Sequence, residues 1–356
     1  MQARGRGDVR PPIGIAFDGD LGNRIDAVLA VAMLNGFAAK GEARRISLSI
    51  SRSSLEAAQL ADVISGFYGG RPASGFSGGV GQISEGMIGM PEGGPSSGDA
   101  PVLTAMLSKT ASDGTPPYHS NIRRLLDTAE SSVLIRNMLL AQNDENASIV
   151  LAGPATGLAR ILALYGSRPQ IAAKVKQLVV AAGSFPAGQP DPTITSDVAA
   201  ARTLFAEWST PLIAVGSEVG AALPYPGSSI DTDFAWSPAH PVVDAYRVFK
   251  PMPYDAPAAA LAATLHAVHP DEGYFKLSEP GTISVLDGGR TQFTPGANGR
   301  HRYLIVDPAQ KDRIIQLYKD LVSAKPAPRP SRGRGAAPAD EQLPLEPAED
   351  QRSEPA

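Results

Sequence analysis

Residues 13–26 read IGIAFDGDLGNRID, a short apolar run that ends in Asp18, Asp20 and Asp26 with Gly19, Leu21 and Gly22 among them. Carboxylates this close repel one another unless positive charge sits between them. An apolar run followed by a glycine-containing turn is also how a buried strand delivers its carboxyl end to a site. Two readings are open on this stretch alone. The aspartates and glycines form an ordinary turn, or they surround a cation at the edge of a sheet.

The rest of the chain sets the frame for that choice. At 356 residues, with 43% hydrophobic and 19% charged residues, it has the composition of a globular protein large enough for one big α/β domain or two smaller ones. The net charge of −4 gives the chain no general attraction to nucleic acid or anionic lipid. There is no cysteine, which excludes disulfides, thiolate metal sites and a cysteine nucleophile. No apolar stretch reaches membrane-spanning length. The opening MQARGRGDVRPP is basic but lacks the apolar core of a secretory signal, so the expected location is cytoplasmic, or exported if the true start lies upstream. The organisation read from composition is a flexible segment 1–12, a domain over 13–324, and a disordered Pro/Ala/charged tail over 325–356. The Gly- and Ser-rich stretch from Gly69 to Gly98 reads as a long surface loop.

Between these segments strands and helices alternate. Apolar strands are expected at Gly14–Phe17, Ile46–Ile50, Ser148–Ala152, Leu178–Ala182 and Pro211–Gly216. Helices are expected at Asp26–Asn35, over SSLEAAQLADVISGF, at Ser131–Ala141, Leu158–Leu164, Asp197–Trp208, Ala256–Ala267 and Asp312–Val322. Such alternation predicts an α/β fold, an open and mainly parallel sheet covered by helices on both faces. Ligands in these folds bind beyond the carboxyl ends of the strands. DGDLGNRID, GPATG and GSFPAGQPDP each start at one of those ends, which favours a site over a plain turn.

Five blocks in order resemble the inosine–uridine-preferring nucleoside hydrolase family. That family opens with a strand running into DxDPGxDDA, here DGDLGNRIDA. It continues with a GPLTN-like turn, here GPATG, and with a strand, loop and AEFNxxxDPEAA, here VVAAGSF followed by PDPTITSDVAAA. A strand of the form PxxxVGxDV is here PLIAVGSEV, and HDPxA at a helix start is here YDAPAA. The blocks span roughly residues 13 to 265.

The resemblance implies the family's Rossmann-like topology and a Ca²⁺-dependent hydrolysis of the N-glycosidic bond of a nucleoside or related riboside. The implied metal ligands are Asp20, Asp26, the backbone carbonyl of Thr156 and Asp255. Ca²⁺ takes six to eight oxygen ligands, so carboxylates, a carbonyl and ribose hydroxyls suit it. Asp20 is the implied base for the attacking water, and Asp18 an anchor for its loop. The implied partner is a small nucleoside or riboside, with no nucleic acid or membrane, in a homodimer or homotetramer.

Several positions depart from the family pattern. The first aspartate of the DD pair is replaced by Ile25 or Arg24, in a loop one residue longer. An asparagine before the SLE-like helix start is Arg52, the AEFN asparagine and glutamate are Thr193 and Asp191, and the HDP histidine is Tyr254. Arg52, Asp191 and Thr193 are the expected substrate contacts. Tyr254, or His240 in WSPAHPVVDAY, is the candidate for helping the base depart. His266 and His269 end a helix and suit its C-terminal dipole. Two further readings compete with hydrolysis. One is a relative that binds a ribosyl ligand and metal without cleaving nucleosides. The other is a haloacid-dehalogenase-like phosphatase, suggested by DGD after a strand, which wants a lysine at the site.

Overall fold

The computed structural model describes residues 11–69, 87–96, 101–110 and 114–326; the segment 1–10 and the tail from 327 onward lie outside the described residues. The opening stretch is strand β1 (Ile13–Gly19), and every residue from Gly14 to Asp20 is buried. It lies inside a sheet with β2 (Ala43–Ile50), β3 (Ile88–Met90), β4 (Ala129–Glu130), β5 (Ala147–Ala152), β6 (Val175–Val180) and β7 (Leu212–Ala214). Four later strands complete it: β8 (Phe275–Leu277), β9 (Gly281–Val285), β10 (Thr291–Pro295) and β11 (His301–Val306). The order is β10-β9-β11-β7-β6-β5-β1-β2-β3-β4, with β8 paired to β11. From β11 to β4 every neighbouring pair is parallel.

Alternation along the strands builds a core on each face, because successive side chains of a strand point to opposite sides. Ile15 and Phe17 of β1, Val150 and Ala152 of β5 and Val179 of β6 belong to one apolar cluster. Ala16, Ile149, Leu151, Leu178 and Val180 belong to the other. Helices Ile25–Ala39, Leu55–Phe67, Ala259–Val268 and Lys311–Val322 cover the first face. Ser131–Leu140, Thr156–Ala163 and Val198–Glu207 cover the second. The Ile25–Ala39 helix is buried over Asp26–Leu34, Gly36 and Phe37, and its N-cap residue Arg24 makes no side-chain cap. Each fully buried Leu, Val, Met or Phe contributes roughly 1.5–3 kcal/mol, against about 1 kcal/mol for a good cap. Packing, not capping, holds this helix. Among the described residues no helix is long and apolar enough to cross a membrane.

The predicted strands and helices are all present, with ends shifted by a few residues. Three parts of the fold differ from the sequence reading. The 69–98 stretch is not loop throughout, since Ile88–Met90 is a strand between β2 and β4. Three residues are too few to display a period, and Gly89 fits there because a Cβ would lie 2.3 Å from Ser49 Oγ. Strands β8–β11, antiparallel to one another where they pair, are absent from the sequence reading, because their exposed residues break the apolar runs. The WSPAHPVVDAY stretch, where no helix is expected from sequence, starts one, Pro241–Phe249, with His240 as its N-cap.

One consequence places the site. Chain order runs from β1 outward to β2, β3 and β4 and then returns to β5 on the other side of β1. The sheet therefore reverses direction at β1 and β5, and a crevice opens beyond their carboxyl ends. Gly19 of β1 pairs in register with Ala152 of β5, Asp20 N–H donates to Ala152 O at 3.1 Å, and Ser51 N–H donates to Gly19 O at 3.0 Å. Three chain segments meet here at backbone distance. Gly153 makes this approach feasible: a Cβ on it would sit 2.2 Å from Ser51 Oγ and 2.9 Å from Asp20 N. Gly153→Ala should cost about 1–3 kcal/mol by overpacking, lowering the melting temperature by several degrees. An unchanged melting temperature in differential scanning calorimetry would show that the loops part freely.

Candidate active site at the switch point of the sheet

The aspartates of the opening stretch meet positive charge, and it comes from arginine. Arg24 grips Asp26 with two parallel bonds, Nε to Oδ1 at 3.1 Å and Nη2 to Oδ2 at 2.8 Å. Its Nη1 reaches across the crevice to Ala181 O at 2.8 Å, beyond the end of β6, and to Thr193 Oγ1 at 3.4 Å. Burial works against the charge on Arg24, but the pull of Asp26, joined by Asp191 and Asp20, outweighs it and holds the guanidinium pKa above its usual value. Asp26 Oδ2 also accepts the backbone N–H of Ala260 at 2.9 Å, at the start of the Ala259–Val268 helix.

Asp20 is held by a second arginine. Arg52, following β2, donates from Nε to Asp20 Oδ2 at 2.5 Å and from Nη2 to Ser196 Oγ at 2.5 Å. Asn23 Nδ2 donates to Asp20 Oδ1 at 2.9 Å. The two ion pairs are largely shielded, with side-chain exposures of 20% and 8% for Arg24 and Asp26, and 16% and 4% for Arg52 and Asp20. Behind them, Asp18 accepts Ser51 Oγ–H at 2.8 Å on Oδ1, while its buried Oδ2 has no partner. Burial, with Glu130 and Asp20 adding repulsion against the help of Ser51, pushes the Asp18 carboxyl up to about 7. Asp18 is the anchor expected of it.

The remaining expected residues divide into two groups. Asp191 caps the short Pro192–Thr195 helix, its Oδ1 accepting Thr193 N–H at 2.7 Å and its Oδ2 accepting Gly183 N–H at 2.8 Å. Thr156 starts its helix and donates its hydroxyl to Asp197 Oδ2 at 2.6 Å. Asp20, Asp26, Arg52, Asp191, Thr193 and Thr156 thus come from the ends of β1, β2, β5 and β6. No described hydrogen bond or ion pair joins Asp255, Tyr254 or His240 to them. Asp255 is exposed and its Oδ1 accepts Gly227 N–H at 2.9 Å. Tyr254 stacks on Tyr246 with ring centres 4.4 Å apart and donates its hydroxyl to Tyr246 O at 2.6 Å. Burial raises the Tyr254 phenol pKa well above the usual tyrosine value.

His240 lies in an aromatic cage of Phe67, Tyr68, Phe234 and Trp236. Its Nδ1 accepts Val242 N–H at 3.3 Å and its Nε2 faces Tyr68 Oη at 3.3 Å. Burial depresses its pKa to about 4, with Asp244 pulling weakly the other way. It caps the Pro241–Phe249 helix, and burial favours its neutral form. His266 is likewise buried, with a pKa lowered to about 4 by burial. It carries no charge for the helix dipole at neutral pH, which corrects the sequence reading; His269, the C-cap residue, meets Glu42 at 2.9 Å. The sequence reading also missed Asn23 and Ser196. An asparagine three residues after Asp20 in the same turn is a signal that was available, whereas Ser196 is brought in by the fold alone.

The expected Ca²⁺ ligands do not fit that ion as they stand. Asp20 and Asp26 are each bonded by a guanidinium, and Asp255 is exposed and bonded to Gly227 N–H. Among the described residues no group of three or more His, Cys, Asp or Glu is arranged to hold a metal. A dication about 4 Å from a single guanidinium would meet a repulsion on the order of 8 kcal/mol at an effective dielectric near 20. The phosphatase reading fares no better: the described partners of Asp18 and Asp20 are Ser51, Asn23 and Arg52, with no lysine among them.

Comparison with known proteins follows the same geometry. No protein-family model matches the sequence, and no curated protein matches it. Solved structures do. The plant nucleoside hydrolase PpNRh1 superposes with a TM-score of 0.62 at 19% identity, over 88% of this chain and 100% of its own. The chain has the nucleoside hydrolase fold. The purine-preferring ribonucleoside hydrolase from Gardnerella vaginalis aligns with a TM-score of 0.62 at 16% identity, covering 87% of this chain and 98% of that one. An inosine–guanosine nucleoside hydrolase aligns with a TM-score of 0.64 at 14% identity, covering 87% and 98%. With identities this low, the nucleoside hydrolase fold is what is shared.

The buried cap carries a pH signature. His240 titrates at about 4 when folded and near 6.5 when unfolded, so between those values the unfolded chain binds more protons and stability falls as the pH drops. His240→Asn keeps a cap acceptor but cannot be protonated. The melting temperature of the wild type should therefore fall more steeply than that of the variant between pH 7 and pH 4.5. Parallel curves over that range would mean that His240 is exposed to water.

Proposed function

We propose that the crevice beyond β1, β2, β5 and β6 binds a small riboside, and that water cleaves its N-glycosidic bond there to give free ribose and base. The carrying observation is the gathering of Asp20, Asp26, Asp191, Arg24 and Arg52 at the switch point of a nucleoside hydrolase fold. The five ordered sequence blocks support the same reading. Cleavage proceeds through positive charge on the ribose ring, which favours a crevice lined by carboxylates. A base must also take a proton from water. Asp20 is best placed for this at the mouth of β1. Asn23 holds one of its oxygens and Arg52 the other. A carboxylate oxygen accepts two hydrogen bonds, so each can still receive the water. The Tyr254 hydroxyl, which donates to Tyr246 O, would have to give up that bond to assist departure of the base.

The hold of Asn23 and Arg52 on Asp20 favours a second reading, in which the protein binds a ribosyl compound without cleaving it. A panel of purine and pyrimidine ribosides separates the two, with reducing-sugar release and calorimetric binding measured on the same samples. Hydrolysis predicts sugar release that falls about a hundredfold or more in Asp20→Asn, the scale of a lost acid–base group, with the fold intact by circular dichroism. Binding heat without sugar release selects the second reading. A panel that shows neither ends both.

A further inference from the structure

We infer that Arg24 and Arg52 stand in for a resident divalent cation at the switch point, so that the site assembles and takes its ligand without Ca²⁺. This inference concerns the make-up of the site and does not depend on whether the bound riboside is cleaved. Of the four expected ligands, the two carboxylates Asp20 and Asp26 are already bonded to guanidinium N–H groups. Both oxygens of Asp26 face Arg24, one oxygen of Asp20 faces Arg52, and the Ala181 carbonyl and Thr193 hydroxyl face Arg24 Nη1. Two carboxylates, a carbonyl and a hydroxyl are the donor types of a Ca²⁺ shell. Here they are matched by two positive charges, the same total that the ion would supply.

The arginines also serve the cation's architectural role. Arg24 ties the loop after β1 to the end of β6, and Arg52 ties the loop after β2 to Ser196. A guanidinium does this with directional bonds in a plane, whereas an ion does it by radial attraction. Of the other expected ligands, Thr156 opens its helix after β5, and Asp255 is exposed and bonded to Gly227 N–H. A ligand's hydroxyls would accordingly meet N–H donors in this crevice instead of a Lewis acid.

The test uses the full-length protein and CaCl₂ alone, with no riboside. Calorimetric titration of the wild type should give no binding heat, and its melting temperature should be the same in millimolar CaCl₂ and in excess EDTA, because only a species that binds the folded state raises it. Stoichiometric Ca²⁺ binding, or a loss of several degrees on chelation, overturns the inference. The double variant Arg24→Asn, Arg52→Asn frees the carboxylates, so if it folds it should melt several degrees higher with CaCl₂ than with EDTA. A folded double variant indifferent to CaCl₂ would show that the arginines are not what replaces the ion, and would also overturn the inference. If the double variant does not fold, the wild-type titration decides alone. Silence of every riboside alongside an absent Ca²⁺ response would defeat the proposed function and the binding half of this inference, while assembly of the site without Ca²⁺ still stands.

Discussion

The structure depends on how negative charge is balanced at the carboxyl ends of a buried parallel sheet. β1 lies between β2 and β5 and is buried along its length, so its last residues cannot shed charge into bulk water. Asp18, Asp20 and Asp26 follow one another into that space. Each is handled differently: Asp18 by a carboxyl pKa raised to about 7, Asp20 by Arg52 and Asn23, and Asp26 by Arg24 and the amide of Ala260. Buried carboxylates without such partners would cost several kcal/mol each. The loops after β2, β5 and β6 are ordered around this balance.

Much of the fold was legible because its signals are periodic. The runs Gly14–Phe17, Ile149–Ala152 and Leu178–Ala182 are apolar at every position, as strands covered on both faces tend to be. The helix after Ser54 announced itself with a hydroxyl cap, and Ser54 Oγ does accept Ala57 N–H at 3.2 Å. What escaped were elements whose stability comes from neighbours and not from local pattern. β3 has three residues, and the Pro241–Phe249 helix is capped by a histidine, an uncommon choice. The sequence placed the residues of the crevice correctly at strand ends but not their pairing. That Arg52 would reach Asp20, 32 positions earlier, follows from the parallel pairing of β1 and β2. That Arg24 would reach the carbonyl of Ala181 follows from β6 lying two strands from β1.

The burial of two histidines was hidden for a related reason. His266 stands at a helix end, where sequence suggested charge, and His240 stands at a helix start. Tertiary packing put both in apolar surroundings, where desolvation outweighs any nearby carboxylate. A lone histidine in a sequence does not disclose which of these fates awaits it.

The Ile25–Ala39 helix follows directly from the first strand yet is covered last. It packs against the Lys311–Val322 helix so closely that Gly36 has room for no side chain, the Leu321 carbonyl lying 2.3 Å from where its Cβ would be. The Ala259–Val268 helix lies against it too and supplies the amide that binds Asp26. During synthesis, the most apolar early helix must therefore wait for nearly three hundred further residues before its surface is closed. A ribosome-bound chain lacking its last helix leaves that stripe open to water or to other chains. The carboxyl-terminal helix is in this sense the closing clasp of a structure whose first residues already hold its site.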